Sequence, residues 1–356
     1  MRKGWDTTPP LRRINAALLL VACLFVAPSA FAAPTGHGVE VTANEAARRV
    51  DVTIDGKPFT SYIWPTTIRK PVLFPLMDAD GVILTRGFPP GPSERVDHPH
   101  HVGLWFNYAR VNNFDFWNNS EAIKPENLSK MGVIRLDKIV STSSGPDRGE
   151  LVTLSTWIDG NNHPILQETT RFVFSIRKGA RVIDRIATLL ALDHVVFEDE
   201  KDGMLGLRVA SWLESPTAKD AVFVDSRGVQ TRTGAASPDA SGVYLTSEGA
   251  KGDAAWSTRG RWCSLTGHKG NHVDTIAIID HPGNPGYPTY WHARGYGLFA
   301  ANPLGRSIFD PKQPAFNFTM EKGQETTFRY RVVIADRAES ADELNKEADA
   351  FAAEYK

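Results

Sequence analysis

The sequence predicts an all-β protein, a large antiparallel sandwich in a single domain with a short helix at its C-terminal end. Three observations predict it. Runs of alternating apolar and polar residues recur along the chain, several joined by Asp-Gly or Lys-Gly pairs; such pairs supply the positive φ that a tight β-hairpin needs. Only the last segment carries the spaced apolar stripe and the cap of a helix. Neither an internal repeat nor a composition shift marks a second domain, and many strands with one helix bury their apolar faces best as two stacked sheets.

Taken in order, residues 1–32 read as an export signal, with residues 33–356 forming the sandwich. Arg12 and Arg13 form its basic start, Ile14 to Val26 its apolar run, and Ala30-Phe31-Ala32 its small-x-small cleavage pattern. The paired arginines lack a twin-arginine context, so the general secretion route and a periplasmic or secreted protein are expected. Leu20-Val21-Ala22-Cys23 resembles a lipobox, but the apolar run continues past Cys23, which disfavours a lipoprotein. No later run reaches the ~20 apolar residues of a membrane span.

Arg49 to Ile54 alternates and turns at Asp55-Gly56 into Lys57 to Trp64. Pro71 to Met77 turns at Asp80-Gly81 into Val82 to Thr85. Leu151 to Ile158 turns near Asp159-Gly160 into Ile165 to Ile176, which turns at Lys178-Gly179 into Arg181 to Leu192. Further strands are expected at Met204 to Leu213, Arg261 to Thr266, His272 to Ile279, Gly297 to Ala301 and Thr326 to Ala335. Ser226 to Ser257, rich in Gly, Ser, Ala and Asp, reads as a long loop with at most short strands. The helix opens on Ser340 with Glu343 three residues later, and Leu344, Ala348, Phe351 and Ala352 form its stripe.

Without residues 1–32 the chain keeps 36 basic against 40 acidic residues. That balance offers no basic field for nucleic acid. Cys263 is then the one cysteine, which excludes an intrachain disulfide and reads as a small buried apolar residue. No phosphate-binding glycine loop, dinucleotide fingerprint or Gly-x-Ser-x-Gly elbow is present. The run Glu198-Asp199-Glu200 with Asp202 reads as a solvated turn.

Two dense stretches carry the candidate chemistry. Asp97 to Asn107 holds three histidines, and His281 to Gly297 holds two more among Pro, Gly and aromatic residues. On an extended Asp97–Trp105 segment, His98 and His100 would share one face and His101 the other. Histidine suits proton transfer near neutral pH, so His98, His100, His101 and His292 are the acid–base candidates. Two imidazoles two residues apart also start a metal site. A divalent metal on His98 and His100, completed by His292, His281 or Glu168, is therefore the alternative.

Trp105, Phe114, Trp117, Tyr290 and Trp291 are interleaved with Asn107, Asn112, Asn113, Asp115, Asn118 and Asn119. Exposed rings beside amides suit a carbohydrate, the ring covering the sugar's C–H face. Glu168 shares a strand face with Leu166, Phe172 and Phe174; an apolar setting raises a carboxyl pKa, which makes it a catalytic carboxylate candidate. Arg208 and Arg294, near Trp212 and His292 respectively, are candidate clamps for a hydroxyl or carboxylate.

Asp97-His98-Pro99-His100-His101-x-Gly103-Leu104-Trp105-Phe106 and Val111-Asn112-x-Phe114-Asp115-Phe116-Trp117 resemble the PmoA-like family of exported bacterial proteins. So do Glu200-x-Asp202-Gly203-x-Leu205-Gly206-x-Arg208, Asp280-His281-Pro282-x-Asn284 and Pro288-Thr289-x-Trp291-His292-x-Arg294-x-Tyr296-Gly297, continuing to Asn302-Pro303. The resemblance spans about Pro71 to Arg331. Val102 and Asn113 depart from it, where Arg and Gly are usual. It implies a galactose-mutarotase-like β-sandwich associated with sugar and polysaccharide breakdown, and adds Asn284, Tyr296 and Asn302 to the binding candidates. The family's name points to methane oxygenase, but that oxygenase subunit is an integral membrane protein, so the activity is not carried over.

The expectation is an exported carbohydrate-active enzyme of lyase, hydrolase or epimerase type, acting on a small-molecule or glycan substrate. Trp105, Trp117 and Trp291 would form its sugar platform. The alternatives are the metal-dependent enzyme and a non-catalytic glycan-binding module.

Overall fold

The computed structural model of the chain describes residues 37–92, 94–220, 222–224, 230–232 and 234–355. The expected export signal lies outside them. Two antiparallel eight-stranded sheets dominate. The first runs, edge to edge, Val39–Asn44, Arg49–Ile54, Lys57–Ile63, Val72–Leu73, Leu104–Tyr108, Gly203–Arg208, Leu298–Asn302, Tyr290–Arg294. The second runs Val243–Thr246, Trp262–Lys269, His272–Asp280, Glu325–Ala335, Ala180–Ala191, Pro164–Arg177, Arg148–Ile158, Val133–Ser143.

Local chemistry sets the hairpins. Asp55 and Gly56 adopt φ 51° and 72°, and Lys178 and Gly179 φ 51° and 82°, the paired positive values of a two-residue turn. Alternation then sends Leu104, Phe106 and Tyr108 inward, onto Trp157, Phe172 and Phe328 of the second sheet, in one continuous core. The helix Ala341–Glu354 opens on Ser340 with the expected reciprocal cap to Glu343. It buries Leu344, Ala348 and Phe351 against Trp262, Ala277 and Val333 on the second sheet's outer face. No described helix is long and apolar enough to cross a membrane.

The departures have local causes. The strand expected over Pro71 to Met77 is reduced to Val72–Leu73, with a single bridge from Met77 to Ile83; Pro75 has no N–H for a ladder. The strand expected from Met204 ends at Arg208, and Ser211–Leu213 forms a 3-10 turn. Leu104–Tyr108 begins seven residues after Asp97 because His98 takes φ 44° and Gly103 φ 59°, which break the extension. The strand Val133–Ser143 was not anticipated; much of it is exposed and polar, so no clean alternation marks it.

Candidate active site

Parts of the two dense stretches, the histidines after Asp97 with Trp105 and the strand Tyr290–Arg294 with His292, meet on the outer face of the first sheet. Register puts Trp105 opposite Gly206, Gly206 opposite Ala300, and Ala300 opposite His292. Directly paired residues share a face, so His292 stands in the same row as Trp105, three strands and roughly 14 Å away. Gly206 is required there. A Cβ on it would lie 2.5 Å from the Trp105 indole and 2.8 Å from that of Trp117, both of which rest on the sheet.

Asp97 is the node of the first stretch. Its carboxylate takes both Arg208 guanidinium nitrogens, at 2.8 and 2.9 Å, and the His98 Nδ1 at 2.5 Å. Asp97 and Arg208 are both buried. Burial pushes the Asp97 carboxyl up, but the hydrogen bonds from His98 and Arg208 outweigh it and hold the group below the usual carboxylate range. An ionised Asp97 accepts a proton-bearing Nδ1, so the lone pair of neutral His98 sits on Nε2. Burial lowers the His98 pKa, opposed by Asp97. The side chain keeps 13% of its surface exposed.

The loop carrying these histidines has few ladder bonds, so buried cations satisfy its carbonyls. Arg86 donates to the carbonyl oxygens of Arg95, Asp97, His98 and His101 at 2.5–3.2 Å. Lys70 donates to that of His100 at 2.8 Å. Burial lowers Lys70 to about 7, against the pull of Asp115.

His101 lies in a stack of four rings. Tyr296 faces His98 at 5.1 Å, His98 faces His101 at 4.7 Å, and His101 faces Trp105 at 5.1 Å. His100 stands edge-on to His101 at 4.4 Å. Burial drives His100 and His101 well below the usual imidazole range. Both are neutral, and each keeps a buried Nε2 with no hydrogen-bond partner. The expectation that His101 points to the opposite face from His98 and His100 is therefore corrected: the turn at His98 gathers all three rings on one side.

His292 forms the opposite wall. Its Nδ1 donates to the Lys201 carbonyl oxygen at 3.0 Å and lies 3.6 Å from the Asp202 carboxylate. Burial drives it down to about 3, so it is a neutral imidazole with its lone pair on Nε2. Trp256 packs edge-on against it at 4.7 Å, and the Arg294 guanidinium lies 4.5 Å from the Trp256 ring centre. Lys201 Nζ pairs with Asp202 at 3.0 Å. Asp202 acts electrostatically on His98, Tyr296 and His292 alike, which places its charge within reach of both walls.

Several sequence candidates have other roles. Trp105, Trp117 and Trp291 are at most 1% exposed, so they are no open sugar platform; the first two form the floor under His101 and the third packs between the sheets on Phe299. Glu168 is not at the site. It lies in the core between the sheets, bonded to Arg185 at 2.6 Å, Trp157 at 2.9 Å and Thr170 at 2.5 Å.

The asparagines serve the backbone. Asn112 and Asn113 adopt φ 50° and 66°, a conformation Asn tolerates in turns. Asn112 also bridges His194 and Val196, and Asn107 donates to the Phe116 carbonyl at 2.6 Å. Asp115 accepts from Asn118. Asn302 holds Glu200, Leu304 and Gly305. Asn284 bonds Asp280 and Arg329 on the second sheet, and neighbouring His281 packs on Phe351.

Sequence reading missed Lys201, Asp202, Glu214 and Trp256. The acidic run taken as a solvated turn has Glu200 and Asp202 buried instead, while Asp199 accepts from Ser307, Ile308 and Phe316 backbone N–H groups. Glu214 pairs with Arg95 at 2.7 Å and lies 3.9 Å from Arg208; burial raises it to about 7. The alternation of acid and base around Lys201 was the available signal. Among the described residues His98, His100 and His292 do not gather their ligand nitrogens within 4.8 Å of one another; Asp78, His272 and Asp274 gather one ligand atom each within that distance.

Fold and site together define a two-sheet antiparallel protein with a desolvated histidine cluster on one outer face. Residues 49–349 match the model of DUF6807, a family of unknown function, and the chain belongs to that family. No curated protein matches it in sequence. Among solved structures the chain is similar to a galactose 1-epimerase from Lactobacillus acidophilus NCFM, at 12% identity over 82% of this chain and 95% of that one, with a TM-score of 0.40. It is also similar to a GH36 alpha-galactosidase from Geobacillus stearothermophilus, at 15% identity over 84% of this chain and 41% of that one, with a TM-score of 0.37. Likenesses this distant carry no argument about activity; the sandwich stands on the chain's own strand pairing.

Proposed function

We propose that the protein is an exported carbohydrate-active enzyme that works by acid–base catalysis on the outer face of the first sheet. The observation that carries this is the Asp97–His98 pair, locked by Arg208 and stacked on Tyr296. A buried carboxylate fixes the imidazole's orientation and tautomer, leaving Nε2 to take or give a proton. His292, held the same way by a backbone carbonyl, is the second base. Lys201, Asp202 and Arg294 supply charged partners for hydroxyls or a sugar carboxylate.

The chemistry is proton transfer at a sugar, common to epimerase, lyase and hydrolase reactions. It uses groups that all belong to this chain. Export rests on the residue pattern of 1–32, and kinship with PmoA-like proteins on the motifs from Asp97 to Trp117 and Pro288 to Pro303.

The test is a turnover panel on the chain lacking residues 1–32, run by NMR on anomer interconversion and on uronic-acid elimination first, then on glycoside hydrolysis. At least one sugar class should react, and His292→Asn should slow it by roughly a hundredfold, the scale of one lost acid–base group. Reaction at the wild-type rate in His292→Asn, or inert behaviour toward every class, would remove the support for this reading.

A further inference from the structure

We propose that Asp78, His272 and Asp274 form a divalent-metal site that joins the two sheets at one end of the sandwich. Asp78 lies in the turn that leaves the first sheet after Val72–Leu73, and its backbone N–H donates to the Val82 carbonyl oxygen at 3.1 Å. His272 and Asp274 lie two residues apart on one face of the second-sheet strand His272–Asp280.

One imidazole nitrogen and two carboxylate oxygens of these residues lie within 4.8 Å of one another. Around a bound zinc-like ion, ligand atoms stand roughly 3 to 4 Å apart, so small side-chain shifts close the site. The second observation is Asp274 itself. It is 0% exposed, and neither carboxylate oxygen has a hydrogen-bond partner. A buried carboxylate in that state is costly unless a proton or a cation joins it.

The surroundings are organised as a metal's outer shell is. Asp78 Oδ1 accepts from the N–H groups of Asp80 at 3.0 Å and Val82 at 2.6 Å, which fixes the carboxylate and leaves Oδ2 facing His272 Nε2 at 2.9 Å. His272 is partly exposed, and the exposed Asp80 carboxylate lies 3.7 Å from its Nε2, so the outer side offers access and a further oxygen. One nitrogen with carboxylate oxygens suits zinc, cobalt or manganese, whereas calcium takes shells of oxygen alone. Binding releases the His272 Nε2 proton and any proton on Asp274, so affinity rises with pH.

The experiment titrates Co2+ into the chelator-stripped, tag-free full chain, reading its visible absorption, with Zn2+ then added during thermal unfolding. The wild type takes one cobalt with a nitrogen-ligated spectrum, and zinc raises its Tm. His272→Ala, at a partly exposed position, weakens binding at least tenfold, the minimum for losing a group that outranks an outer-shell partner, and abolishes the Tm rise; Asp274→Asn does the same. Should Asp274→Asn not fold, His272→Ala and the wild-type titration still decide. No cobalt uptake, meaning that a shared proton satisfies the two carboxyls, overturns the proposal. So does cobalt that His272→Ala leaves in place and His98→Ala removes.

Discussion

His98 and Tyr296 lie face to face, ring centres 5.1 Å apart and planes within 2°. One belongs to the first dense stretch of the sequence and the other to the second. Their contact continues through His101 to Trp105, so a single column of rings ties the two stretches into one surface. The Arg208 guanidinium lies 5.1 Å from the Tyr296 ring centre while its fork holds Asp97, which in turn holds His98.

Tyr296→Ala opens this column. The truncation of a buried aromatic residue costs about 3 to 5 kcal/mol, and Tyr296→Phe, which keeps the ring, costs under about 1.5 kcal/mol. Urea unfolding of the two variants checks the contrast. Equal losses would show that the hydroxyl, and not the stack, supports the site.

Arg208→Met leaves the Asp97 carboxylate buried without its fork. Breaking a buried pair costs about 3 to 5 kcal/mol. Adding Asp97→Asn removes the charge left behind, so the double variant should be more stable than Arg208→Met alone. Denaturation midpoints of the wild type and the two variants measure this.

The buried histidines set an acid limit on stability. Burial holds His98, His100, His101 and His292 below the ordinary 6.5, His292 at about 3. As pH falls, the unfolded imidazoles take protons first and the folded ones resist. Their contribution is thus fully present above 6.5 and lost as pH drops below it, at about 1.4 kcal/mol per unit of depression. His292→Gln should flatten the fall between about pH 6.5 and pH 4. The same sign applies to kcat/KM: with His98 as base, its acid limb lies below 6.5.

Glu168→Gln separates structure from chemistry. Its carboxylate is bound to Arg185 in the core, so the variant loses roughly 3 kcal/mol or more of stability. In the folded protein kcat/KM should stay within about threefold of wild type, well short of the hundredfold expected for a lost acid–base group. A larger drop would return Glu168 to the reaction.

The sheets were legible because hairpin turns and alternation are local signals: Asp55-Gly56, Lys178-Gly179 and the Ser340 cap all read through to the structure. The site was legible only as a density of histidines. That they converge depends on the positive φ of His98 and on a strand register linking Trp105 to His292 across Gly206 and Ala300, neither of which leaves a pattern in the residues. The tryptophans misled because a ring beside asparagines looks like a sugar platform, whereas here the amides close turns and the rings fill the floor. Glu168 misled for the reverse reason. Its apolar face was read rightly, but Arg185, which neutralises it, sits on the neighbouring strand.

The most direct measurement is kcat/KM of His98→Asn on the sugar found by the turnover panel, with folding confirmed by its Tm. Asn keeps a polar group beside Asp97 but transfers no proton. A drop of roughly 10²- to 10⁴-fold in a folded variant is the predicted result. Turnover by His98→Asn at the wild-type rate would contradict the claim that this histidine moves the proton.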